Sequence, residues 1–163
     1  MSNSSHSLYV REASDFRPAT TTELLGAARG ALAQRFQRGR TLTSPAAVKD
    51  YLQMTLAHLE HEVFALVHLD TRHRWLGFTE LFRGTIDGAS VHPREVVKEV
   101  LRINSSAVIA CHNHPSGQCA PSHADELITQ RLVSCLGLID VRLLDHMIVC
   151  HTETYSFAEH GQL

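Results

Sequence analysis

The sequence predicts a mixed α/β sandwich, a sheet flanked by helices on both sides. Three observations carry that reading. The 163 residues suit one domain with a real core, and the composition, 44% hydrophobic and 20% charged, is that of an ordinary globular chain. Helix-period segments alternate with short apolar, β-rich runs from about residue 44 onward. Two of those runs are separated only by a four-residue turn, Thr71 to Arg74, so they read as an antiparallel hairpin.

Residues 1 to about 20 are polar and unpatterned and read as a flexible tail. Thr20-x-x-Glu23 is a capping box, opening a helix from Thr21 to about Gln37. Leu24, Leu25, Ala28, Leu32 and Phe36 fall largely on one face of it, and Gly39 ends it. Arg29, Arg35, Arg38 and Arg40 give the segment a basic cast, read first as a solvated face and second as a nucleic-acid contact. Ser44-Pro45 opens a second helix, serine as N-cap and proline at the first position, ending near His58 with Val48, Tyr51, Leu52 and Leu56 toward the core. Residues 62–70 form a buried strand and Trp75 to Phe82 its return. Residues 84–90 read as a loop. Pro93 begins a third helix, with Val96, Val97, Val100 and Leu101 at helical spacing, ending near Asn104. A strand, Ser106 to Cys111, leads into His112. A fourth helix runs from Ser122 to about Leu136, with Gly137 as its stop. Val141 to Cys150 give one or two strands and Thr154 to Ala158 a short last one. The chain therefore divides into 1–43, tail plus N-terminal helix, and 44–163, the main domain.

Net charge is −2 and the isoelectric point about 6.6, so no general electrostatic pull toward nucleic acid is implied. No apolar run reaches the length of a membrane span, and the N-terminus lacks the basic start and apolar core of a signal peptide. A cytoplasmic protein is expected. Cys111, Cys119, Cys135 and Cys150 include no C-x-x-C pair and, without a secretory signal, are expected to be free thiols.

The stretch that carries chemistry is His112 to Asp125, HNHPSGQCAPSHAD. At a strand end, residues two apart share a face, so His112 and His114 project together while Asn113 points away. Asp125 returns eleven residues after His114, at a helix start. Two imidazole nitrogens and a carboxylate make a three-ligand zinc set with a fourth position left for water, the pattern of a catalytic site. Read singly, Ser122-x-x-Asp125 is a helix N-terminus, with Ser122 as N-cap and Asp125 favoured by the dipole. Read jointly, H-x-H, seven residues, Ser, two residues, Asp is a constrained spacing, and one serine and one aspartate can both cap a helix and face a metal. Cys111 and Cys119 rank behind Asp125 as ligands. A general base is also required, and spacing alone leaves Glu60, Glu62, Glu80, Glu95 and Glu126 open.

His112, His114, Ser122 and Asp125 match the H-x-H-x7-S-x-x-D signature of JAMM (MPN+) zinc metalloproteases. HNHPSG, PS-x-AD, the upstream LFRGTIDGASVHPREVV and the downstream LLDHMIVC resemble the RadC-like branch, over about residues 44 to 163. The resemblance implies an MPN-type (cytidine-deaminase-like) fold, one Zn2+ per chain on His112, His114 and Asp125, and a peptide or isopeptide substrate. It places the base at Glu62, opening EVFALVHLD, with Glu80 as runner-up, and gives Ser122 the oxyanion. Asp145-His146 resembles the family's LDH element and reads equally as support for a ligand or as a buried polar pair.

Two other classes compete. RadC-like proteins were historically associated with DNA repair, so the alternative is a non-proteolytic, nucleic-acid-associated module. Thr21 to Arg40 shows no GxG hairpin signature for DNA contact. A nucleotide deaminase would need H-x-E and P-C-x-x-C, which are missing.

Overall fold

The computed structural model describes residues 8–12, 15–42, 44–84 and 91–163, and, within the first helix and hairpin, the backbone alone at 12, 29, 32, 33 and 35. The expected tail residues 1–7, most of the expected loop at 84–90, and the side chains of Leu32, Arg29 and Arg35 lie outside what is described. The backbone falls into two compact units, one up to Arg35 and the other Phe36–Leu163.

The first unit corrects the expectation of an unpatterned tail. Tyr9–Glu12 (β1) and Asp15–Pro18 (β2) pair as an antiparallel hairpin, followed by the helix Thr21–Arg35 (α1). The Arg17 guanidinium grips Glu23 at 2.7 Å, and Glu23 also accepts the Thr20 N–H at 2.9 Å, closing the capping box. That pair ties β2 to the helix start, a tertiary contact that polarity alone did not reveal. Phe36 is not on the face of α1. It belongs to the second unit, where its ring packs 4.4 Å from Tyr51 and 4.9 Å from Trp75.

The second unit holds Pro45–Leu56 (α2), Val63–Leu69 (β3), Trp75–Arg83 (β4), Pro93–Ile103 (α3), Ala107–Asn113 (β5), His123–Gly137 (α4), Arg142–Val149 (β6) and Thr154–Ser156 (β7). Ser44 caps α2, accepting the Ala47 N–H at 3.3 Å, with Pro45 where no amide partner is needed. Asp70 folds the β3–β4 turn by accepting the N–H groups of Arg72 and Arg74, each at 2.9 Å. Gly137 is the last helical residue of α4, and it is Asp140, at φ +56, that makes the left-handed turn into β6.

The sheet order is β4-β3-β5-β6-β7, with β5 and β6 parallel and the other pairs antiparallel. Every residue of β3 and β5 is buried, as two covered faces require. On one face Phe64, Leu66, Val108 and Ala110 pack against Val96 and Val100 of α3 and Leu132 and Leu136 of α4. On the other, α2 buries Val48, Leu52 and Leu56. The expected MPN-type sandwich with helices on both sides is therefore the observed architecture. β5 lies in the middle of the sheet, so its C-terminal end opens where α4 begins.

Candidate metal centre

His112 is the penultimate residue of β5, opposite Phe64 of β3 and Ile148 of β6, and only 2% exposed. Its ring stacks on Phe64. His114 lies one step past the strand, but its N–H donates to the Val149 carbonyl at 2.9 Å, so the β5–β6 ladder continues beneath it and keeps it on the His112 face. Asp125 enters from the first turn of α4. Single ligand atoms of the three side chains lie within 4.8 Å of one another. The two Nε2 atoms are 3.0 Å apart, and Asp125 Oδ1 is 3.2 Å from that of His112.

Hydrogen-bond direction decides what those nitrogens can do. The Thr129 hydroxyl donates to the Asp125 carbonyl at 2.6 Å. A hydroxyl has one proton, so toward His146 Nδ1, also at 2.6 Å, Thr129 can only accept. His146 therefore carries its proton on Nδ1 and offers a lone pair at Nε2. That lone pair, 2.9 Å from His112 Nδ1, takes the His112 Nδ1–H. Burial pushes the pKa of His146 far below its ordinary value, which keeps it neutral as the relay requires. His114 donates its Nδ1–H to the Gln118 carbonyl at 2.6 Å. Both Nε2 atoms are thus left with lone pairs aimed at one point. At 3.0 Å two such lone pairs repel unless a cation stands between them, so the donor set fits a metal.

Asp125 divides its oxygens. Oδ2 accepts the Ser122 N–H at 2.7 Å and the Ser122 hydroxyl at 2.6 Å, while Oδ1 faces His112. Burial would raise its pKa, but positive charge at His112, carried by a proton on Nε2 or by a cation in its place, and the two Ser122 donors outweigh it and hold the carboxyl well below the usual range. One carboxylate thus serves the helix cap through Oδ2 and turns Oδ1 toward His112. Ser122 is the N-cap of α4 and exposed, its oxygen accepting the Asp125 N–H at 3.2 Å.

Glu62 is half-buried, immediately before β3, and its carbonyl accepts the Gly84 N–H at 2.8 Å. Continuing the Phe64–His112 register by two residues puts position 62 opposite position 114, on the metal face. Glu80 pairs with Ala65, which pairs with Cys111, so it stands on the opposite face. Glu60 is exposed, Glu95 is engaged by Lys98 at 2.7 Å, and Glu126 faces His123 at 3.6 Å.

Three supports were not foreseen. Asn113 points away from the side that His112 and His114 share, as expected, but is not idle. Its Oδ1 accepts the Val63 N–H at 2.8 Å, and its Nδ2 donates to the His61 carbonyl at 3.0 Å, holding the backbone on both sides of Glu62. Thr129 looked like one more polar helix residue, and its role exists only through His146. Cys119 and Cys150 are disulfide-bonded, which corrects the expectation of free thiols and removes Cys119 as a rival ligand. No local spacing marks that pair, since the two are 31 positions apart and meet only because β5 and β6 are parallel neighbours. Cys111 and Cys135 are free, and burial pushes the Cys111 thiol far up. Of Asp145-His146, only the histidine reaches the site. Asp145 accepts the Ser156 hydroxyl at 2.6 Å and the Ala158 N–H at 3.0 Å, tying down the C-terminal segment.

The relay sets a test. Thr129→Val keeps the buried shape but not the hydroxyl, so His146 and then His112 lose their fixed tautomers. Chelator competition should show divalent-metal affinity falling about tenfold in Thr129→Val and recovering in Thr129→Ser. Equal affinities in the two variants would reduce Thr129 to a packing residue.

The comparisons agree with this geometry. The family model described as a RadC-like JAB domain matches residues 42–162. A UPF0758 protein of Methylibium petroleiphilum is 54% identical over 149 residues, 90% of this chain and 67% of its own length. A UPF0758 protein of Ralstonia nicotianae is 51% identical over 140 residues, 86% of this chain and 62% of its own. One of Shewanella frigidimarina is 57% identical over 128 residues, 78% and 57%. This chain thus spans about three fifths to two thirds of the relatives it matches. Among the described residues no helix is long and apolar enough to cross a membrane. With the family model covering the sandwich from before α2 to beyond β7, and the histidine pair and aspartate meeting at the end of β5, the chain belongs to the RadC-like JAB domain family.

Proposed function

We propose that this domain is a zinc-dependent hydrolase acting on a peptide or isopeptide bond of a protein substrate, in the cytoplasm, with one zinc per chain. The observation that carries the reading is the convergence of two unprotonated Nε2 atoms and one carboxylate oxygen, each imidazole committed through its other nitrogen. Three protein ligands leave a coordination position for water or substrate, unlike a closed structural site. Bound there, zinc would polarise a carbonyl and lower the pKa of a water toward about 7.

The remaining work falls to the chain. Glu62, on the metal face beside His114, takes the proton of the attacking water and returns it to the leaving amine. Asn113 supports this by fixing the backbone around Glu62. Ser122 supplies a hydroxyl to the developing oxyanion. That hydroxyl donates to Asp125 Oδ2, and rotation about the Cβ–Oγ bond would turn its proton toward the oxyanion. His112 and His114 keep their orientation through His146 and Gln118, so no reorganisation is needed when a ligand arrives.

Elemental analysis of the purified protein tests this, followed by isopeptide-linked and peptide libraries. About one zinc per chain and hydrolysis abolished by a chelator and restored by zinc are expected. No zinc after reconstitution would make the histidines structural, and the non-proteolytic, DNA-associated module would then be the reading to assay.

A further inference from the structure

We propose that the Cys119–Cys150 disulfide is the tether that positions His114, so that the metal affinity of the centre depends on the redox state of this pair. The inference rests on the metal reading above. Each cysteine is chemically adjacent to a group that holds His114. Cys119 follows Gln118, whose carbonyl accepts the His114 Nδ1–H at 2.6 Å. Cys150 follows Val149, whose carbonyl accepts the His114 N–H at 2.9 Å. The cross-link therefore joins the two backbone segments that hold His114, one at its ring and one at its amide.

The loop that carries Gln118 depends on that link. Ser116, Gly117 and Gln118 are exposed, and the loop's hydrogen bonds are local: Gly117 N–H to the His114 carbonyl at 3.0 Å, and Gln118 N–H to Ser116 Oγ at 3.4 Å. Gly117 presses the loop onto the same corner as the disulfide. Its φ is +82, and a Cβ there would lie 2.9 Å from His151 Nδ1, one residue past Cys150. Beneath the link, Cys119 and Tyr155 pack on a small apolar cluster of Ile148, Cys150 and Phe157.

The two sulfurs differ in access. Cys150 is 2% exposed, while Cys119 is half-buried between exposed Gln118 and Ala120. A dithiol reductant attacks the Cys119 sulfur, breaking the S–S bond. Cys150 leaves as a thiolate and takes a proton. The second thiol of the reductant then closes its own disulfide and releases Cys119 as a thiol. Two electrons and two protons pass from reductant to protein, and exchange with a small-molecule disulfide reverses the step. In a reducing compartment such an accessible disulfide forms transiently, the behaviour of a redox sensor. On reduction the Gln118 carbonyl is no longer fixed, and His114 loses the acceptor that sets its tautomer and ring plane.

The test compares the full chain in oxidised form, in reduced form after treatment with a phosphine that is then removed without oxygen, and as Cys119→Ser/Cys150→Ser. Zinc affinity is read by chelator competition, and loop order by hydrogen exchange of the peptide spanning residues 114–121. Reduction and the double variant should each weaken zinc about tenfold. Exchange should quicken in that loop peptide and not in β3. Glutathione disulfide should restore the wild type and not the variant. Should the double variant fail to fold, the reduced and oxidised wild type carry the comparison alone. Equal zinc affinity in the two wild-type forms overturns the proposal. So does tighter binding on reduction, which would mean that the freed Cys119 thiol joins the metal. Loop exchange unchanged by reduction overturns the tether itself, whether or not metal is bound. Zinc absent from both forms overturns the metal reading and, with it, the redox dependence of affinity.

Discussion

Asp125→Asn is expected to strip the centre of metal while leaving the helix start in place. The argument follows from how the carboxylate is shared. Oδ2 serves the cap, accepting the Ser122 N–H at 2.7 Å, and Oδ1 faces His112 Nε2 at 3.2 Å. An asparagine can turn its amide oxygen to the cap and keep α4 capped, but it then presents an N–H2 to the metal position. Zinc binding to a full four-ligand set is worth about 10–16 kcal/mol, so one ligand carries on the order of 3 kcal/mol, or about a hundredfold in affinity. Asp125→Ala also loses the half of the capping box that returns to the Ser122 N–H, which costs stability rather than affinity, while Ser122 Oγ still accepts the N–H of residue 125. Measuring zinc per chain and thermal unfolding on both variants separates the two roles. If Asp125→Asn retains zinc at wild-type affinity, Asp125 is a cap alone. The pH dependence has a definite sign. A carboxyl whose folded-state pKa lies below its unfolded one stabilises fully above the unfolded value and loses that contribution as pH falls through the folded one. Asp125 is therefore fully charged from neutral pH down through the usual carboxylate range. A stability gap between wild type and Asp125→Asn in the metal-free form should be full at neutral pH, begin to narrow as pH falls through the ordinary carboxylate value, where the unfolded chain takes up its proton, and close in stronger acid.

The element order, the two covered faces and the convergence of His112, His114 and Asp125 could be read from residue patterns because each rests on a local rule. The all-buried run of β3 and the proline openings of α2 and α3 are of that kind. H-x-H works because a strand alternates faces, and Ser-x-x-Asp because a helix cap has a fixed reach. What escaped the sequence was set by pairing between distant segments. Thr129 acquires a function only because α4 lies against β6, where His146 waits, and Asn113 only because the start of β3 lies beside the end of β5. The cysteine pair was misread for the same reason. Compartment and spacing argued for thiols, while the parallel register of β5 and β6 set Cys150 beside the metal loop. The β1–β2 hairpin was missed because the Arg17–Glu23 pair, and not an apolar pattern, anchors it. The choice among carboxylates is intermediate. Periodicity could not rank Glu62 against Glu80, but strand register separates them onto opposite faces.

That separation makes Glu62→Gln the most informative activity variant. Glutamine keeps the length and the hydrogen-bonding capacity of the side chain, and Asn113 still holds the backbone at Val63 and His61. Zinc content should therefore stay at the wild-type level, because no ligand is touched. Hydrolysis should fall by about a thousandfold, within the roughly 10²–10⁴ that a positioned general base contributes. The loss should appear in kcat at unchanged metal occupancy, because proton transfer belongs to the transition state and not to substrate binding. Glu80→Gln is the matched control. It removes the same charge from the opposite face of the sheet, and its activity should remain that of the wild type. Retained activity in Glu62→Gln would take the base away from Glu62 and pass it to a carboxylate able to reach the same face. Loss of zinc together with activity would mean that Glu62 holds the centre together instead of moving a proton. The pair of variants thus separates a base from a structural charge with one metal measurement and one rate.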